Sequence, residues 1–211
     1  MPPEQKKPRK KSLMRAFAKA VAGVVLGLTM LYGGWHLAFY AGRGEKLTSG
    51  EKNLLTGIFG KEINTSEVRK HFRDTSSITH VIPGKIGMVP PPFSHIDFFG
   101  EKVWSRDYSQ DTKYKFGLFA HEATHCWQGQ TMTFPLHDFG RYDYKLAPGA
   151  CFNNFGTEQQ ADIIEDYAKT WLYKPTPAAK HTAQDTLLMK VVENRFPQAQ
   201  KTRTARQLKK S

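Results

Sequence analysis

An α+β fold follows from three observations on the amino-acid sequence. The apolar residues change period along the chain, one helical stretch carries a histidine pair, and a 22-residue charge-free run lies near the amino terminus. The first two predict a small antiparallel sheet followed by histidine-bearing helices. The third predicts one transmembrane helix in front of them. At 211 residues the chain has room for one sizeable core.

The charge-free run spans Ala20 to Ala41 and is rich in Val, Leu, Ala and Gly. At about 1.5 Å per residue it is long enough for a ~30 Å hydrocarbon core. Residues 1–19 hold seven Lys/Arg against Glu4, so the positive-inside rule keeps the amino terminus in the cytoplasm and exports the rest. Tyr32, Trp35 and Tyr40 lie toward the outer end, as belt aromatics would. The expected organisation is a basic cytoplasmic tail over 1–19 and a signal anchor over 20–42 in the cytoplasmic (inner) membrane. An extracytoplasmic domain over 43–200 and a basic mobile tail over 201–211 follow. A cleaved secretory signal is the competing reading, but bulky Phe39 stands where a cut after Ala41 wants a small residue. Gly23 and Gly27 carry the spacing of a helix-pairing face, and hence of a homodimer through the membrane.

The net charge of +12 resides in the two ends. Residues 201–211 carry five Lys/Arg and no acid, whereas Arg43 to Gln200 carries 19 basic and 18 acidic residues. Two basic tails are not a basic face, so nucleic-acid binding is not expected.

After a short tether over 42–46, Thr48-Ser-Gly-Glu51 is a capping box opening a helix through Leu54, Leu55 and Ile58, closed by Gly60. Residues 61–100 then alternate: Val68, Lys70 and Phe72 at period two, and a β-branched run over 78–82 among glycine and proline breaks. Two to four short antiparallel strands are expected. Ser94-His-Ile-Asp-Phe-Phe99 is the last of them, with a free edge able to pair with an extended peptide.

Between Lys113 and Met132 there is no proline, and Phe116, Phe119, Ala120, Ala123 and Trp127 recur at helical spacing. This helix contains His121-Glu122-Ala-Thr-His125. Residues four apart share a helix face, so both imidazoles can reach one metal ion, and Glu122 can stand over its open position as a general base. Thirty-three residues after His125 comes Glu158, followed at one helical turn by Asp162. A carboxylate on a later helix is a standard third zinc ligand, and a second carboxylate can hold the N–H of a ligating histidine. Thr157 or Gly156 starts this helix, and Ala161, Ile164, Tyr167, Ala168 and Leu172 supply its core stripe.

The 133–154 loop contributes His137, Tyr142 and Tyr144 as candidate donors to an oxyanion, with no spacing rule to choose among them. Cys126 and Cys151 leave three readings open: a disulfide in an exported domain, two free thiols, or a thiol ligand that the His/His/Glu set makes unnecessary. Past the Pro175 and Pro177 break, residues 181–195 read as one more helix packing through Leu187, Leu188, Val191 and Val192.

The His121-Glu-Ala-Thr-His125 and Glu158-x-x-x-Asp162 motifs resemble the gluzincin branch of the zincin metallopeptidases. With Leu47 to Glu51 and Ser94 to Phe98, the chain resembles small bacterial zincin-like proteins known as vgr-related, relatives of a metallopeptidase-like domain of contractile injection systems. The resemblance covers about Leu47 to Tyr173. It implies a minimal zincin fold with Zn2+ at His121, His125 and Glu158, Glu122 as base and Asp162 as orienter. The expected function is a membrane-anchored zinc hydrolase cleaving a peptide or protein substrate outside the cytoplasm. The alternative is a non-catalytic zincin scaffold in the envelope or in an injection machine.

Overall fold

In the computed structural model, residues 44–74, 86–90, 94–133, 140–174 and 181–208 are described. The chain opens with β1 (Glu45–Lys46) and α1 (Ser49–Phe59), then a 3-10 turn over Gly60–Glu62. Three more strands follow: β2 (Arg69–Arg73), β3 (Gly87–Met88) and β4 (His95–Phe99). The rest is helical: α2 (Lys113–Thr131), α3 (Thr157–Tyr167) running into a π turn over Ala168–Leu172, α4 (Ala183–Arg195) and α5 (Pro197–Leu208).

The α1 capping box is formed: Glu51 N donates to Thr48 Oγ1 at 3.1 Å, and Thr48 N donates back to Glu51 Oε2 at 2.8 Å. Gly60 ends the helix at φ +63°, a conformation that favours glycine. Thr112 caps α2 through Lys115 N, and Met132 closes it in the left-handed region at φ 54°. Thr182 and Asp185 form a second capping box at the start of α4.

The sheet order is β1-β2-β4-β3, and the sheet is mixed. β2 and β4 run parallel, with His71 opposite Asp97, while both outer pairs are antiparallel. The antiparallel expectation is corrected at this central pair, because the chain crosses over between Arg73 and His95 instead of turning back as a hairpin. The same topology moves the free edge: β4 is paired on both sides, and β3 lies at the end of the sheet.

The core lies between the sheet and the helices. Lys70, Ile96 and Phe98 point inward from β2 and β4, and Phe98 packs on Tyr108, which stacks on Phe119 of α2 at 5.2 Å. Further along α2, Trp127 meets Phe59, Phe152 and Phe196, joining α1 to the loop after α2 and to the end of α4. Residues 201–208, expected to begin a mobile tail, belong to the helix Pro197–Leu208. Arg203 anchors it by pairing with buried Glu193, and Tyr167 donates to that same carboxylate at 2.9 Å.

Among the described residues no helix is long and apolar enough to cross a membrane. That finding goes against the expected transmembrane helix and against the single-pass inner-membrane localisation built on it. Residues 20–42, on which that expectation rested, lie outside the described residues, as does the 78–82 run.

Candidate metal centre

Two packed helices build the centre. α2 places His121 and His125 on one face, and the first turn of α3 brings Glu158 against them. Glu158 Oε2 lies 3.5 Å from His121 Nε2 and 3.3 Å from His125 Nε2. One ligand atom from each of the three residues falls within 4.8 Å of the others. Ligands at about 2.0–2.1 Å from a tetrahedral ion stand roughly 3.3 Å apart, so this spacing suits a zinc ion with two nitrogens and one oxygen.

The far nitrogens are held from behind. His125 Nδ1 lies 2.9 Å from Gln128 Oε1. The Gln128 amide nitrogen donates to Thr157 O and to Gln160 Oε1, both at 3.0 Å, which fixes its oxygen as the acceptor. The proton of His125 therefore sits on Nδ1, leaving the Nε2 lone pair toward Glu158. His121 Nδ1 lies 2.9 Å from Asp162 Oδ1 and 3.2 Å from Glu165 Oε2. Both carboxylates lie within hydrogen-bond distance of this nitrogen, though neither is well aligned with the ring N–H.

The charges are correspondingly perturbed. Burial opposes a proton on His121, yet Asp162, Glu158 and Glu165 outweigh it and raise its pKa well above the ordinary imidazole range. Burial likewise pushes Glu158 up, but the two histidines hold its carboxyl far below the ordinary carboxylate range. The carboxylates around two imidazoles attract a cation, and a proton on His121 takes that part when no metal does. This donor set fits zinc.

Glu122 is buried beside the ligands, with its carboxylate against β3. A Cβ at Gly87 would lie 2.3 Å from Glu122 Oε1, so the absence of a side chain there makes room for the carboxylate. The edge strand and the general-base candidate thus meet at one backbone position.

Two of the three loop candidates can be placed. Tyr144 donates to Asp166 Oδ2 at 2.6 Å and packs on Phe155, so its hydroxyl is committed to α3. Tyr142 is exposed, and His137 lies outside the described residues. The disulfide reading is corrected: both cysteines are free thiols, Cys126 fully buried in the core and Cys151 exposed. Burial pushes the Cys126 thiol pKa far up, which keeps it protonated.

Sequence reasoning missed three residues. Gln128 stands one turn from His125, and Glu165 stands two turns from Glu158, so helical spacing was a usable signal for both. Gly87 offered none.

No family model matches the chain. It is 35% identical over 166 residues to the type VI secretion system spike protein VgrG2b of Pseudomonas aeruginosa, covering 71% of this chain. The chain is homologous to part of VgrG2b. It spans only 16% of the length of that spike protein. Among solved structures, the effector domain of Pseudomonas aeruginosa VgrG2b matches at 28% identity and a TM-score of 0.47, over 85% of this chain and 98% of that domain. The similarity to VgrG2b bears out the vgr-related, injection-system part of the resemblance, and the membrane-metallopeptidase part is corrected, since the match is to a secretion spike protein.

Proposed function

We propose that the chain is an effector-type domain associated with a secretion or injection system, and that its centre binds zinc and hydrolyses peptide bonds. The first half rests on the similarity to VgrG2b, a type VI secretion spike protein. The second rests on one observation: Glu158 Oε2 lies within 3.5 Å of both His121 Nε2 and His125 Nε2, with Glu122 buried alongside.

His121, His125 and Glu158 would hold the ion, with Gln128 and Asp162 fixing which imidazole nitrogen faces it. Zinc bound there supplies Lewis-acid polarisation of a carbonyl oxygen and of water. Glu122 accepts the proton of the attacking water and delivers it to the departing amine, as a general base and then a general acid. Burial of Glu122 keeps that carboxylate out of bulk water, and the missing side chain at Gly87 makes the space it occupies.

The second reading is a non-catalytic scaffold in a secretion or injection system, and the homology to a spike protein supports it better than it supports a hydrolase. Glu122→Gln separates the two. A general base contributes typically ~10²–10⁴-fold, so the variant should lose that much hydrolytic activity on unfolded protein substrates while keeping zinc. Equal activity and equal biological effect in the two proteins would leave the scaffold reading.

A further inference from the structure

Glu165 and Lys169 do nothing in the scheme above, yet their placement is specific. Glu165 Oε2 lies 3.2 Å from His121 Nδ1, and its other oxygen is ion-paired with Lys169 Nζ one turn along. The lysine stem reaches that position by crossing α2 at Gly117. A Cβ at Gly117 would lie 2.4 Å from Lys169 Cε and 2.8 Å from Cγ. Any larger residue at 117 would lift the stem away.

A neutral imidazole has one lone pair. If His121 offers Nε2 to a metal, its Nδ1 must carry the hydrogen and face an acceptor. Asp162 and Glu165 both stand there, and two neighbouring carboxylates repel one another unless a cation separates their charge. His121, Asp162 and Glu165 also place ligand atoms within 4.8 Å of one another, a second grouping able to draw a metal to the wrong nitrogen. The Lys169 ammonium on the outer oxygen of Glu165 offsets that charge and disfavours a cation behind the ring.

We infer that Glu165, Lys169 and Gly117 form a clamp that positions His121 to bind metal through Nε2 and keeps metal off Nδ1. This rests on the zinc reading above. Glu165 and Lys169 are positioning residues, acting through His121 rather than on a substrate.

The test measures zinc affinity of the full-length chain by competition with a chromophoric chelator, together with the visible spectrum of the cobalt(II)-loaded protein. Melting temperatures are taken in excess chelator, so that metal binding does not enter them. Glu165→Gln should weaken zinc binding by ~10–100-fold and shift the cobalt spectrum, as loss of a partner behind a ligand does. Lys169→Met should weaken it in the same direction, and Lys169→Arg should restore it. Gly117→Ala should weaken zinc binding while the melting temperature holds or rises, because alanine favours helix over glycine. General destabilisation cannot produce that pairing. Gly117→Ala combined with Glu165→Gln should be no weaker than Glu165→Gln alone, since the glycine acts through the carboxylate. Wild-type zinc affinity within twofold in both Glu165→Gln and Gly117→Ala overturns the clamp and leaves the zinc site standing. A wild-type chain that binds no stoichiometric zinc overturns the site, and the clamp with it.

Discussion

Two buried charge clusters in this molecule have opposite constructions. At the first, Lys70 and Glu51 are fully buried and 2.7 Å apart. All three ammonium protons and both carboxylate oxygens there have a partner: Lys70 Nζ also donates to Ser105 O and Arg106 O, and Glu51 accepts from Tyr108 N and Thr48 N. Trp104 and Tyr108 present ring faces to the ammonium at 5.5 and 5.2 Å. At the second, Glu158 is shared by two imidazoles at 3.3 and 3.5 Å, distances longer than good hydrogen bonds, and His121 Nδ1 has no aligned acceptor. The first cluster is closed by the protein itself, pinning the start of α1 to β2 and to the loop ahead of α2. The second is left with converging donor atoms and no internal solution. A closed cluster of this kind is structure; an open one is where chemistry can be housed.

This contrast can be broken first at the closed cluster. Lys70→Met leaves the Glu51 carboxylate buried without its cation, which typically destabilises by ~3–5 kcal/mol. The denaturation midpoint should fall accordingly, while the fraction that remains folded still binds zinc. A Lys70→Met protein as stable as wild type would mean that the pair is not closed in the way described.

Gly87→Ala sharpens the open side. The added methyl collides with Glu122 and moves the carboxylate, and a displacement of about 1 Å of a catalytic group can cost ~10²-fold in rate. Zinc content should be unchanged, because no ligand is touched. Full activity in this variant would separate Glu122 from the reaction.

The smallest effect belongs to a third buried group that belongs to neither cluster. His71 is buried and lies 2.8 Å from His95, and burial, with Arg73 and His95 adding to it, lowers its pKa to about 3. Its folded pKa is below its unfolded one, so the unfolded state binds more protons between about pH 3 and 6.5, and stability falls as pH drops through that window. From pH 7 to pH 5 this amounts to about 2 kcal/mol. Denaturant titrations at the two pH values should show that loss in wild type and a smaller one in His71→Leu.

Much of this was legible in the sequence, for identifiable reasons. The Thr48/Glu51 capping box, the α2 histidine pair and the Glu158/Asp162 turn are local patterns, and local patterns survive in any tertiary context. The parallel pairing of β2 with β4 was not legible, because strand partners depend on where the chain travels between Arg73 and His95. Lys70 read as an ordinary strand lysine, since nothing near it in the sequence announces Glu51, nineteen residues away, as its partner. Tyr144 looked free to act as a donor, and only the fold reveals that Asp166 claims its hydroxyl. Gly87 matters for what it lacks, which no motif records.

The most direct test is the zinc content of the purified full-length chain and of His125→Ala and Glu158→Ala, measured by elemental analysis beside circular dichroism. The geometry predicts one zinc per wild-type chain, none retained stoichiometrically in either variant, and helical content unchanged in all three. Zinc at wild-type levels in the Glu158→Ala protein, or no zinc in a well-folded wild type, would contradict it.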